Sequence, residues 1–477
     1  MQQQFLTPLC VDLDGTLVQT NTLFEALLVA IKRNPLRVIP LFFAVFKGKT
    51  YVKHAIGEYT KHEQFIWLYN DEFLAFLRIE HKKGRKLILA TASDFAIAQR
   101  IASELNLFDE VIASSLTMPV IASKKYILLE EKFGKQGFSY AGNSHSDVKV
   151  WERATSAILV HTSKKVSALV KKRIPVEAEF QKSKQLRLQD IVQEIRIHQW
   201  LKNLLLFVPL VMAHQIGDGR LALHAIIGFF SFSALASCMY VMNDLLDIPS
   251  DRAHNTKRMR PIALGTISAV QAIALAFILL AASFTLALSF LPFAFFHMLL
   301  LYVGINGIYS FRAKKIPYVD ISILTSLYVL RIFAGSAATQ VPTSTWLFYF
   351  AGYLFLFLAC MKRVIELLQL QKAEDTAPGR GYSKRDTNIL TTLGISSSIL
   401  SCIVLGLYIK SDTVILLYNR PTLLWALLPL LIIWIVRMWH LTLAKKMPDD
   451  PVLFTSKDPV SYAIGSAVLG ILLLATL

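Results

Sequence analysis

The chain has 477 residues, enough for two or three domains. Lys and Arg number 50 against 33 Asp and Glu, a formal net charge of +17, yet 17% of the residues are charged and 54% are hydrophobic. A soluble domain carries roughly 25% charged residues, so part of this chain is expected to lie in an apolar solvent. This composition excludes intrinsic disorder, collagen and a purely soluble nucleic-acid-binding protein. We interpret the basic excess as Lys and Arg facing an anionic membrane surface or phosphorylated substrates, with no nucleic-acid partner.

Four cysteines are spread along the chain, at Cys10, Cys238, Cys360 and Cys402. They form no CxxC pair, so we expect buried apolar thiols and neither a metal cluster nor a disulfide framework. The first ten residues carry no basic segment, and Asp12 and Asp14 interrupt the first apolar run. A cleavable signal peptide is therefore not indicated, and we expect the N-terminus to stay in the cytosol.

The first 162 residues alternate short strand-like runs with helical stretches, which predicts βαβ units and a parallel sheet. The candidate strands are LCVDL, KLILAT, EVIAS, FSYAG and SAILVH. A long helical insert, from about residue 22 to residue 80, separates the first two strands. We expect an α/β domain over residues 1–162. Residues 163–195 are basic and are interpreted as a linker or an amphipathic segment on an anionic membrane, with a solvated surface helix as the alternative.

From residue 196 onward, apolar runs alternate with short polar loops, and the runs have the ~20-residue length that crosses a hydrocarbon core. We predict an all-α membrane domain over residues 196–477 with about nine transmembrane helices. They lie near residues 198–214, 221–243, 266–289, 291–309, 318–338, 345–365, 389–409, 421–439 and 460–477. Hydropathy alone supports the spans that begin at 198 and 318 only weakly.

The loops between these spans alternate in charge. One set of alternate loops contains 17 basic residues, namely Arg252, Lys257, Arg258, Arg260, Arg312, Lys314, Lys315, Lys362, Arg363, Lys372, Arg380, Lys384, Arg385, Arg437, Lys445, Lys446 and Lys457. The other set contains three, Arg220, Lys410 and Arg420. Because cytoplasmic loops are enriched in Lys and Arg, we predict an integral protein of a bacterial plasma membrane, with a cytoplasmic N-terminal domain and the C-terminus outside.

Two carboxylates end the first predicted strand, in the run LCVDLDGTL. Asp12 and Asp14 point the same way from a strand, so one can attack a substrate while the other handles the proton, and both can help to hold a cation. A strand end with an Asx-type turn is the alternative. Three later features favour catalysis. They are the hydroxyl of Thr91 after the second strand, Lys125 at the start of a helix, and Asn143 with Asp147 in YAGNSHSD, which are suited to phosphoryl oxygens and Mg²⁺.

This ordered set resembles the four motifs of the haloacid dehalogenase (HAD) superfamily, over roughly residues 5–160. The resemblance implies a Rossmann-like core with a helical cap. It implies that Asp12 is a nucleophile that forms an aspartyl-phosphate and that Asp14 is the general acid and then the base. Thr91 and Lys125 would clamp the phosphoryl group.

The same resemblance implies a Mg²⁺ ion bound by Asp12, the Asp14 carbonyl and the fourth motif, which contains Asn143 and Asp147. The family usually has Asp at position 143. An amide oxygen can still bind Mg²⁺, but the loss of a negative charge should weaken the site. Phosphatase activity is the expected function of this domain.

The second group of chemical residues lies in NDLLDIPSDRAHNTKRMRPIALG, at the cytoplasmic end of a predicted span. The candidate residues are Asn243, Asp244, Asp247, Asp251, Lys257, Arg258 and Arg260. The three carboxylates are spaced three and four apart, which places them on one helical face. Such a face can bind Mg²⁺ and a diphosphate, whose departing charge the three bases can neutralise. An ordinary acidic helix end before a basic loop would explain the bases but not three clustered acids.

This motif resembles the NDxxDxxxD signature of the UbiA superfamily of intramembrane prenyltransferases, and the resemblance covers roughly residues 190–477. Within the superfamily, the sequence is most similar to the branch that transfers phosphoribose from phosphoribosyl pyrophosphate (PRPP) to a polyprenyl phosphate. The runs that carry this similarity include IRIHQWLKNLLLFVPL, YSFRAKKIPYVDISIL, MKRVIELL and DPVLFTSKDPVSY. The resemblance implies Mg²⁺, a polyprenyl phosphate lipid, and a phosphorylated sugar or a prenyl diphosphate as the other substrate.

The second acidic motif separates these branches, because aromatic prenyltransferases of the superfamily generally present paired aspartates there. Here Asp320 stands alone after two lysines, one of them Lys314, and one acid with several bases suits two phosphorylated substrates. Lys202 can meet a phosphate at the interface or serve as an interfacial anchor. Arg331 lies inside a predicted span, where a charge is a functional candidate.

The sequence therefore suggests two coupled reactions. The membrane domain would transfer 5-phosphoribose from PRPP to a polyprenyl phosphate, and the HAD domain would remove the 5-phosphate, giving a lipid-linked pentose for cell-envelope glycans. One alternative is an aromatic prenyltransferase, with an acceptor such as 4-hydroxybenzoate, beside an unrelated HAD domain. In another, the HAD domain is a weak regulatory or lipid-phosphate-binding module.

Overall fold

The computed structural model describes residues 7–117, 120, 124–181, 186–370, 380–448 and 450–477. The chain forms two compact units. The first lies within residues 1–195 and 240–275, and the second lies within residues 196–239 and 276–477. The acidic motif that begins at Asn243 therefore belongs to the same unit as the predicted α/β domain.

A parallel six-stranded sheet forms the centre of the first unit, with strand order β3-β2-β1-β4-β5-β6. The strands are β1 (Leu9–Val11), β2 (Leu87–Asp94), β3 (Glu110–Ser114), β4 (Ser139–Gly142), β5 (Ala157–Val160) and β6 (Val176–Phe180). The first five are the predicted strands, and the parallel pairing confirms the predicted βαβ units. Val11 lies opposite both Leu89 and Ala141, so β1, β2 and β4 end at one edge of the sheet.

Helices cover both faces of this sheet, and residues of one strand alternate between two apolar clusters. Leu9 and Val11 belong to one cluster, whereas Cys10 belongs to the other, as the two-residue period of a strand requires. The helices of this unit are α1 (Thr22–Arg33), α2 (Val38–Val45), α3 (Lys49–Tyr59), α4 (Asp71–Lys82), α5 (Phe95–Leu105), α6 (Lys125–Phe133), α7 (Val148–Trp151), α8 (Lys164–Lys171) and α9 (Leu188–Glu194). The first four form the predicted helical insert.

The predicted basic linker is wrong over residues 164–180. Helix α8 buries Val166 and Val170 against the sheet, since residues four apart share a helix face, and its lysines face outward. Strand β6 then pairs with β5, so this segment completes the α/β fold. Residues 182–185 of the predicted linker lie outside the described residues.

The rest of the chain contains eight described helices that are long and apolar enough to cross a membrane, which agrees with an integral membrane protein. They are α11 (Gly219–Leu246), α13 (Ala269–Phe290), α14 (Phe293–Phe311), α15 (Val319–Thr339), α16 (Thr345–Leu368), α17 (Asp386–Ile409), Pro421–Leu443, which is a 3-10 turn followed by α19 (Leu427–Leu443), and α21 (Pro459–Thr476). Three short helices also occur, α12 (Ile248–Ala253), α18 (Asp412–Leu417) and α20 (Pro451–Thr455). The weakly predicted span near residue 318 is confirmed as α15.

The first predicted span, 198–214, differs from the expectation of a long α-helix. It forms a 3-10 helix, Ile197–Phe207, followed by the short helix α10 (Val208–Met212). Helix α15 packs closely on this segment, because a Cβ at Gly335 would lie 2.0 Å from the Leu206 carbonyl oxygen. The absence of a side chain at position 335 permits this approach.

Candidate active sites

The carboxyl edge of the sheet gathers the predicted phosphatase residues around one buried ammonium group. Lys125, the first residue of α6, has its Nζ 2.7 Å from Asp12 Oδ1 and 2.7 Å from the Tyr140 hydroxyl oxygen. Tyr140 donates a 2.9 Å hydrogen bond to Asp147 Oδ1, which lies 3.8 Å from Lys125 Nζ. Asp12, Lys125 and Asp147 are thus brought together as predicted. Tyr140 was missed by the sequence analysis, although it is the first residue of the run YAGNSHSD and lies three residues before Asn143.

Asp14 is oriented at both of its oxygens. Oδ1 accepts the backbone N–H of Thr22 at 2.7 Å, and Oδ2 accepts the hydroxyl of Ser93. Thr91 is buried within β2, where its hydroxyl accepts the backbone N–H of Ser93 at 3.1 Å. Ser93 was also missed, and its signal in the sequence is the two-residue spacing that puts it on the same strand face as Thr91.

Asn143 lies against the loop that carries the two aspartates. Gly15 has φ +76°, and a Cβ there would stand 2.0 Å from Asn143 Nδ2. Glycine is therefore required both by the backbone conformation of this turn and by the close approach of the Asn143 amide. Asp147 Oδ2 accepts the backbone N–H groups of Asn143 and Ser144 at 3.2 and 3.0 Å, which fixes the fourth motif near Asp12.

The charges of this edge suit a divalent cation. Burial raises the pKa of Asp12 to about 6; Lys125 opposes this rise, and the charges of Asp147 and Asp14 add to it. Within the described ranges, no three His, Cys, Asp or Glu side chains form a metal cluster. The predicted donors are instead carboxylates, an amide and a backbone carbonyl, a mixed oxygen set that fits Mg²⁺ when waters complete its coordination.

The helical insert contributes a further cation that the sequence analysis missed. Lys53 of α3 donates to the Ala92 carbonyl at 2.6 Å, between the two hydroxyl residues of β2. Burial lowers the pKa of Lys53, against the charge of Asp14, which raises it. Helix α3 also approaches closely at Gly57, where a Cβ would lie 2.3 Å from Asp94 Oδ1. The insert thus supplies an ammonium group near the proposed proton donor.

The three aspartates of the acidic motif do not share one continuous helix face, contrary to the prediction. Helix α11 ends at Leu246, Asp247 lies between the two helices, and α12 begins at Ile248 with Pro249 in its first turn. Asp244 and Asp251 nevertheless converge, since Arg260 Nη1 lies 2.9 Å from Asp244 Oδ1 and 2.7 Å from Asp251 Oδ2.

Asp247 is paired by a residue far away in sequence. Lys32 of α1 lies with its Nζ 2.7 Å from Asp247 Oδ1. We call these residues the acidic loop: Asp244, Asp247 and Asp251 with their partners Arg260 and Lys32. The acidic loop thus brings three carboxylates together, and burial raises the pKa of Asp251 above its usual range. Such a site favours an added cation.

The other predicted residues of this motif are arranged less closely. Asn243 is half-buried in the last turn of α11. Lys257 and Arg258 are exposed in a 3-10 turn, Lys257–Met259, and among the described residues Arg260 alone of this basic run pairs with a carboxylate. Exposure leaves Lys257 and Arg258 in contact with water.

In the second unit, Asp320 is fully buried, and its ion-pair partners in the described ranges are arginines. Arg363 binds both of its oxygens, and Arg380 Nη1 lies 3.3 Å from Oδ1. Arg363 also pairs with Glu366. The prediction associated Asp320 with Lys314, but Lys314 lies in a 3-10 turn before α15. The guanidinium groups come from positions 43 and 60 residues later, which no local pattern indicates.

A second set of residues in this unit, which we call the basic cluster, comprises Lys202, Arg331, Lys362 and Asp450. Asp450 Oδ2 lies 2.6 Å from Lys202 Nζ and 3.9 Å from Lys362 Nζ. Lys202 and Arg331 both lie over the ring of Tyr328, at 5.9 and 5.6 Å from its centroid. The basic cluster thus contains three cations and one carboxylate, and that carboxylate lies near two of the cations.

Arg331 is buried, and its hydrogen-bond partners are neutral. It donates to Asn203 Oδ1 at 2.9 Å, to the Leu327 carbonyl and to the Tyr302 hydroxyl. Asn203 in turn donates to Ser233 at 2.9 Å. A buried guanidinium among neutral groups is electrostatically costly and favours an anion nearby.

The same unit encloses an apolar cavity of about 330 Å³. It is lined by side chains from α10, α16, α17 and α21, among them Val208, Trp346, Phe350, Tyr408 and Leu472. A cavity of this character accommodates hydrocarbon.

Two families match the two halves of this arrangement. The UbiA prenyltransferase family matches residues 204–457, more than half of the chain, and the haloacid dehalogenase-like hydrolase family matches residues 9–152. The fold and motifs thus define a membrane transferase joined to a hydrolase. The chain belongs to the UbiA prenyltransferase family and carries a HAD-like domain ahead of its membrane region.

Known proteins resemble the chain over different lengths. The uncharacterized protein y4nM of Sinorhizobium fredii is 33% identical over 98% of this chain and 91% of its own length. The decaprenyl-phosphate phosphoribosyltransferase of Corynebacterium glutamicum is 36% identical over 37% of this chain and 54% of its own length. A UbiA homolog of Archaeoglobus fulgidus, solved with DMAPP and Mg²⁺, is 19% identical with a TM-score of 0.45, over 59% of this chain and 99% of its own.

Proposed function

We propose that the membrane part transfers 5-phosphoribose from PRPP to a polyprenyl phosphate and that the HAD-like part removes the 5-phosphate from the lipid product. The protein would act in a bacterial plasma membrane, with the HAD-like part in the cytosol. The observation that carries this proposal is the buried guanidinium of Arg331, which donates to neutral groups and shares the ring of Tyr328 with Lys202. A neutral aromatic acceptor has no use for such a charge, whereas a lipid phosphate neutralises it.

Two further observations support the choice of substrates. The acidic loop brings together three carboxylates, oxygen donors suited to the Mg²⁺ that a diphosphate donor requires. The apolar cavity suits a polyprenyl chain. The similarity to decaprenyl-phosphate phosphoribosyltransferases points to the same pair of substrates.

In the proposed transfer, each group of side chains has one task. Asp244, Asp247 and Asp251 would hold Mg²⁺, which when bound neutralises the diphosphate. Arg260 balances the charge that develops on the leaving oxygen. At the acceptor, Lys202 and Arg331 orient the lipid phosphate. Its oxygen forms the new bond to the sugar C1 while the bond between C1 and the diphosphate oxygen breaks.

In the proposed hydrolysis, Asp12 attacks the 5-phosphate and the bond from phosphorus to the sugar oxygen breaks. Asp14, oriented by Ser93 and Thr22, donates the proton to that oxygen. Water then attacks the aspartyl-phosphate, and Asp14 takes back a proton as inorganic phosphate leaves. Lys125 orients Asp12 and balances phosphoryl charge. Mg²⁺, bound by Asp12, the Asp14 carbonyl, Asn143 and Asp147, would add charge neutralisation.

The decisive experiment incubates the detergent-purified chain with Mg²⁺, labelled PRPP and a polyprenyl phosphate, followed by analysis of the lipid extract. Labelled lipid without a 5-phosphate is the expected product. Asp12→Asn should accumulate lipid that still bears the 5-phosphate. Unlabelled lipid in the wild-type reaction would refute phosphoribosyl transfer, and an unchanged product from Asp12→Asn would refute coupled dephosphorylation.

A parallel reaction tests the aromatic alternative. The same preparation is given a prenyl diphosphate and 4-hydroxybenzoate. The proposal expects no prenylated acid. Prenylated acid formed without any product from PRPP would establish the alternative instead.

A further inference from the structure

Helix α1 of the HAD-like part makes a buried ion pair with the segment that follows the acidic motif, inside the first unit. Glu25 and Arg252 form a bidentate pair, with Nη1–Oε2 2.9 Å and Nη2–Oε1 2.8 Å. Their side chains are 4% and 5% exposed. Arg252 also donates from Nε to the Ala263 carbonyl at 3.0 Å and from Nη1 to the Ile66 carbonyl at 2.8 Å. One guanidinium therefore joins three separate segments.

The bidentate pair of Glu25 and Arg252 restrains the loop that carries Arg260. The loop begins after Arg252, and at its far end the Ala263 carbonyl accepts a hydrogen bond from the Arg252 side chain. One side chain therefore holds the two ends of the loop together. Beyond it, Gly265 packs so closely that a Cβ would lie 2.7 Å from Leu68. Bidentate pairing gives directional restraint that a single ammonium cannot supply. Glu25 thereby fixes the segment from which Arg260 reaches Asp244 and Asp251.

The same face of α1 carries Lys32, seven residues after Glu25 and two helical turns along. Its ammonium lies 2.7 Å from Asp247, and both side chains are partly exposed, at 31% and 26%. An exposed pair of this kind contributes little to stability. Its position beside a candidate Mg²⁺ ligand therefore invites a role in ligand binding.

We propose that α1 of the HAD-like part completes the diphosphate site of the transferase. Lys32 is a phosphate-binding residue for the donor, and Glu25 is a positioning residue that acts through Arg252 on Arg260. The inference deepens the proposed function in one respect, since it rests on the acidic loop being the diphosphate site. The two active parts would then be inseparable, because the hydrolase supplies side chains to the transferase.

The first test measures binding without catalysis. The detergent-purified full chain is titrated with inorganic diphosphate in Mg²⁺ by calorimetry. Lys32→Ala should weaken binding by about tenfold, the scale of one charged hydrogen bond, and Lys32→Arg should retain most of the affinity. Lys83→Ala is the matched control, because Lys83 pairs with Glu80 elsewhere in the unit. Wild-type affinity in Lys32→Ala would overturn the assignment of Lys32.

The second test asks whether Glu25 acts through Arg260. Glu25→Gln and Arg260→Ala are titrated singly and together. The proposal expects the double variant to bind diphosphate no more weakly than Arg260→Ala alone, whereas additive losses would overturn the positioning role. Hydrolysis of a small phosphate ester reports whether the first unit is folded and should stay at the wild-type rate in Glu25→Gln.

These outcomes are separable from the fate of the proposed reaction. Lys32-dependent diphosphate binding in a protein that makes no product from PRPP would refute phosphoribosyl transfer and leave the inference standing. Phosphoribosyl transfer that does not respond to Lys32→Ala or Glu25→Gln would refute the inference and leave the proposed function standing.

A different observation concerns α2, which has one buried and one exposed apolar face. Leu41 and Ala44 are buried, whereas Ile39, Phe42 and Phe43 are each about 60% exposed. The next residue after the helix, Phe46, is 78% exposed. Basic residues flank the segment on both sides, namely Arg33, Arg37, Lys47 and Lys49. Exposed aromatic and aliphatic side chains between basic residues are typical of a helix that lies in an anionic membrane interface.

We infer that this face of α2 binds the anionic bilayer surface. The chain is held at a bilayer by its long apolar helices, so this partner is always present, and its negative charge complements the flanking bases. To test this, an environment-sensitive fluorophore is placed on Phe43→Cys, in a Cys402→Ser background, in nanodiscs with anionic lipids. Brominated lipid should quench it strongly and should not quench the matched control Ile79→Cys, on the exposed side of α4. Equal quenching at both positions would overturn the inference. Protection of the fluorophore at position 43 from the brominated lipid by self-association of the protein would also overturn it.

Discussion

The acidic loop and the basic cluster are built from the same kinds of side chain in opposite proportions, three carboxylates with two cations in the first and three cations with one carboxylate in the second. In the acidic loop, cations are shared between carboxylates, as Arg260 is between Asp244 and Asp251. In the basic cluster, a carboxylate is shared between cations, as Asp450 is between Lys202 and Lys362. Because both sites contain acids and bases, the bound partner is indicated by the type of charged group that predominates. The first favours a metal cation, and the second favours an anionic headgroup.

The strongest test of this difference removes a carboxylate from the acidic loop. Asp244→Ala should reduce transfer by at least about 100-fold, because a proposed metal ligand is lost and Arg260 loses a partner. Hydrolysis of a small phosphate ester by the Asp12 site should persist, which controls for folding. Transfer at the wild-type rate in Asp244→Ala would remove the acidic loop from the mechanism.

The ion pairs of Asp320 should behave differently, since that residue is paired by arginines on both sides. Asp320→Asn should lower the thermal midpoint by about 10 °C, because buried guanidinium groups lose their counter-charge. Glu152→Gln is the control, as its partner Arg173 is exposed, and it should shift the midpoint little. Stability equal to wild type would show that Asp320 is not structural, and a selective loss of transfer would then assign it to the site.

Removing one positive charge from the basic cluster should separate the two substrates. Arg331→Gln should raise the KM for the polyprenyl phosphate by about tenfold and leave the KM for PRPP nearly unchanged. Steady-state kinetics with each substrate varied in turn provides the measurement. A change confined to the KM for PRPP would contradict the assignment of this cluster to the lipid.

The smallest expected effect is a gain. Asn143→Asp adds a negative charge beside Gly15 and should lower the Mg²⁺ concentration needed for half-maximal ester hydrolysis by a few-fold. The Mg²⁺ concentration needed for phosphoribosyl transfer should not change in the Asn143→Asp variant. A higher Mg²⁺ requirement would mean that the amide in this position serves a purpose other than metal binding.

Much of this arrangement could be predicted because its signals are local. The strands of the sheet, the span at α15 and the order of Asp12, Thr91 and Lys125 each follow from runs of adjacent residues. The ion pairs could not be predicted, because they join distant positions. Nothing near Asp247 in sequence indicates Lys32, just as nothing near Asp320 indicates Arg363. Strand β6 was hidden for another reason, since its exposed glutamates gave the segment a polar composition typical of a linker.

The 3-10 segment before α10 bears on how the chain is threaded through the bilayer. A 3-10 helix rises ~2.0 Å per residue against ~1.5 Å in an α-helix, so the 11 residues of Ile197–Phe207 and the five of α10 reach about 30 Å together. That is the thickness of a hydrocarbon core, attained with fewer residues than a hydropathy window counts. Counted with the eight long apolar helices, this segment would give the nine spans that the sequence predicts. The pitch of a single short helix thus decides whether an apolar run of this length is counted as a span.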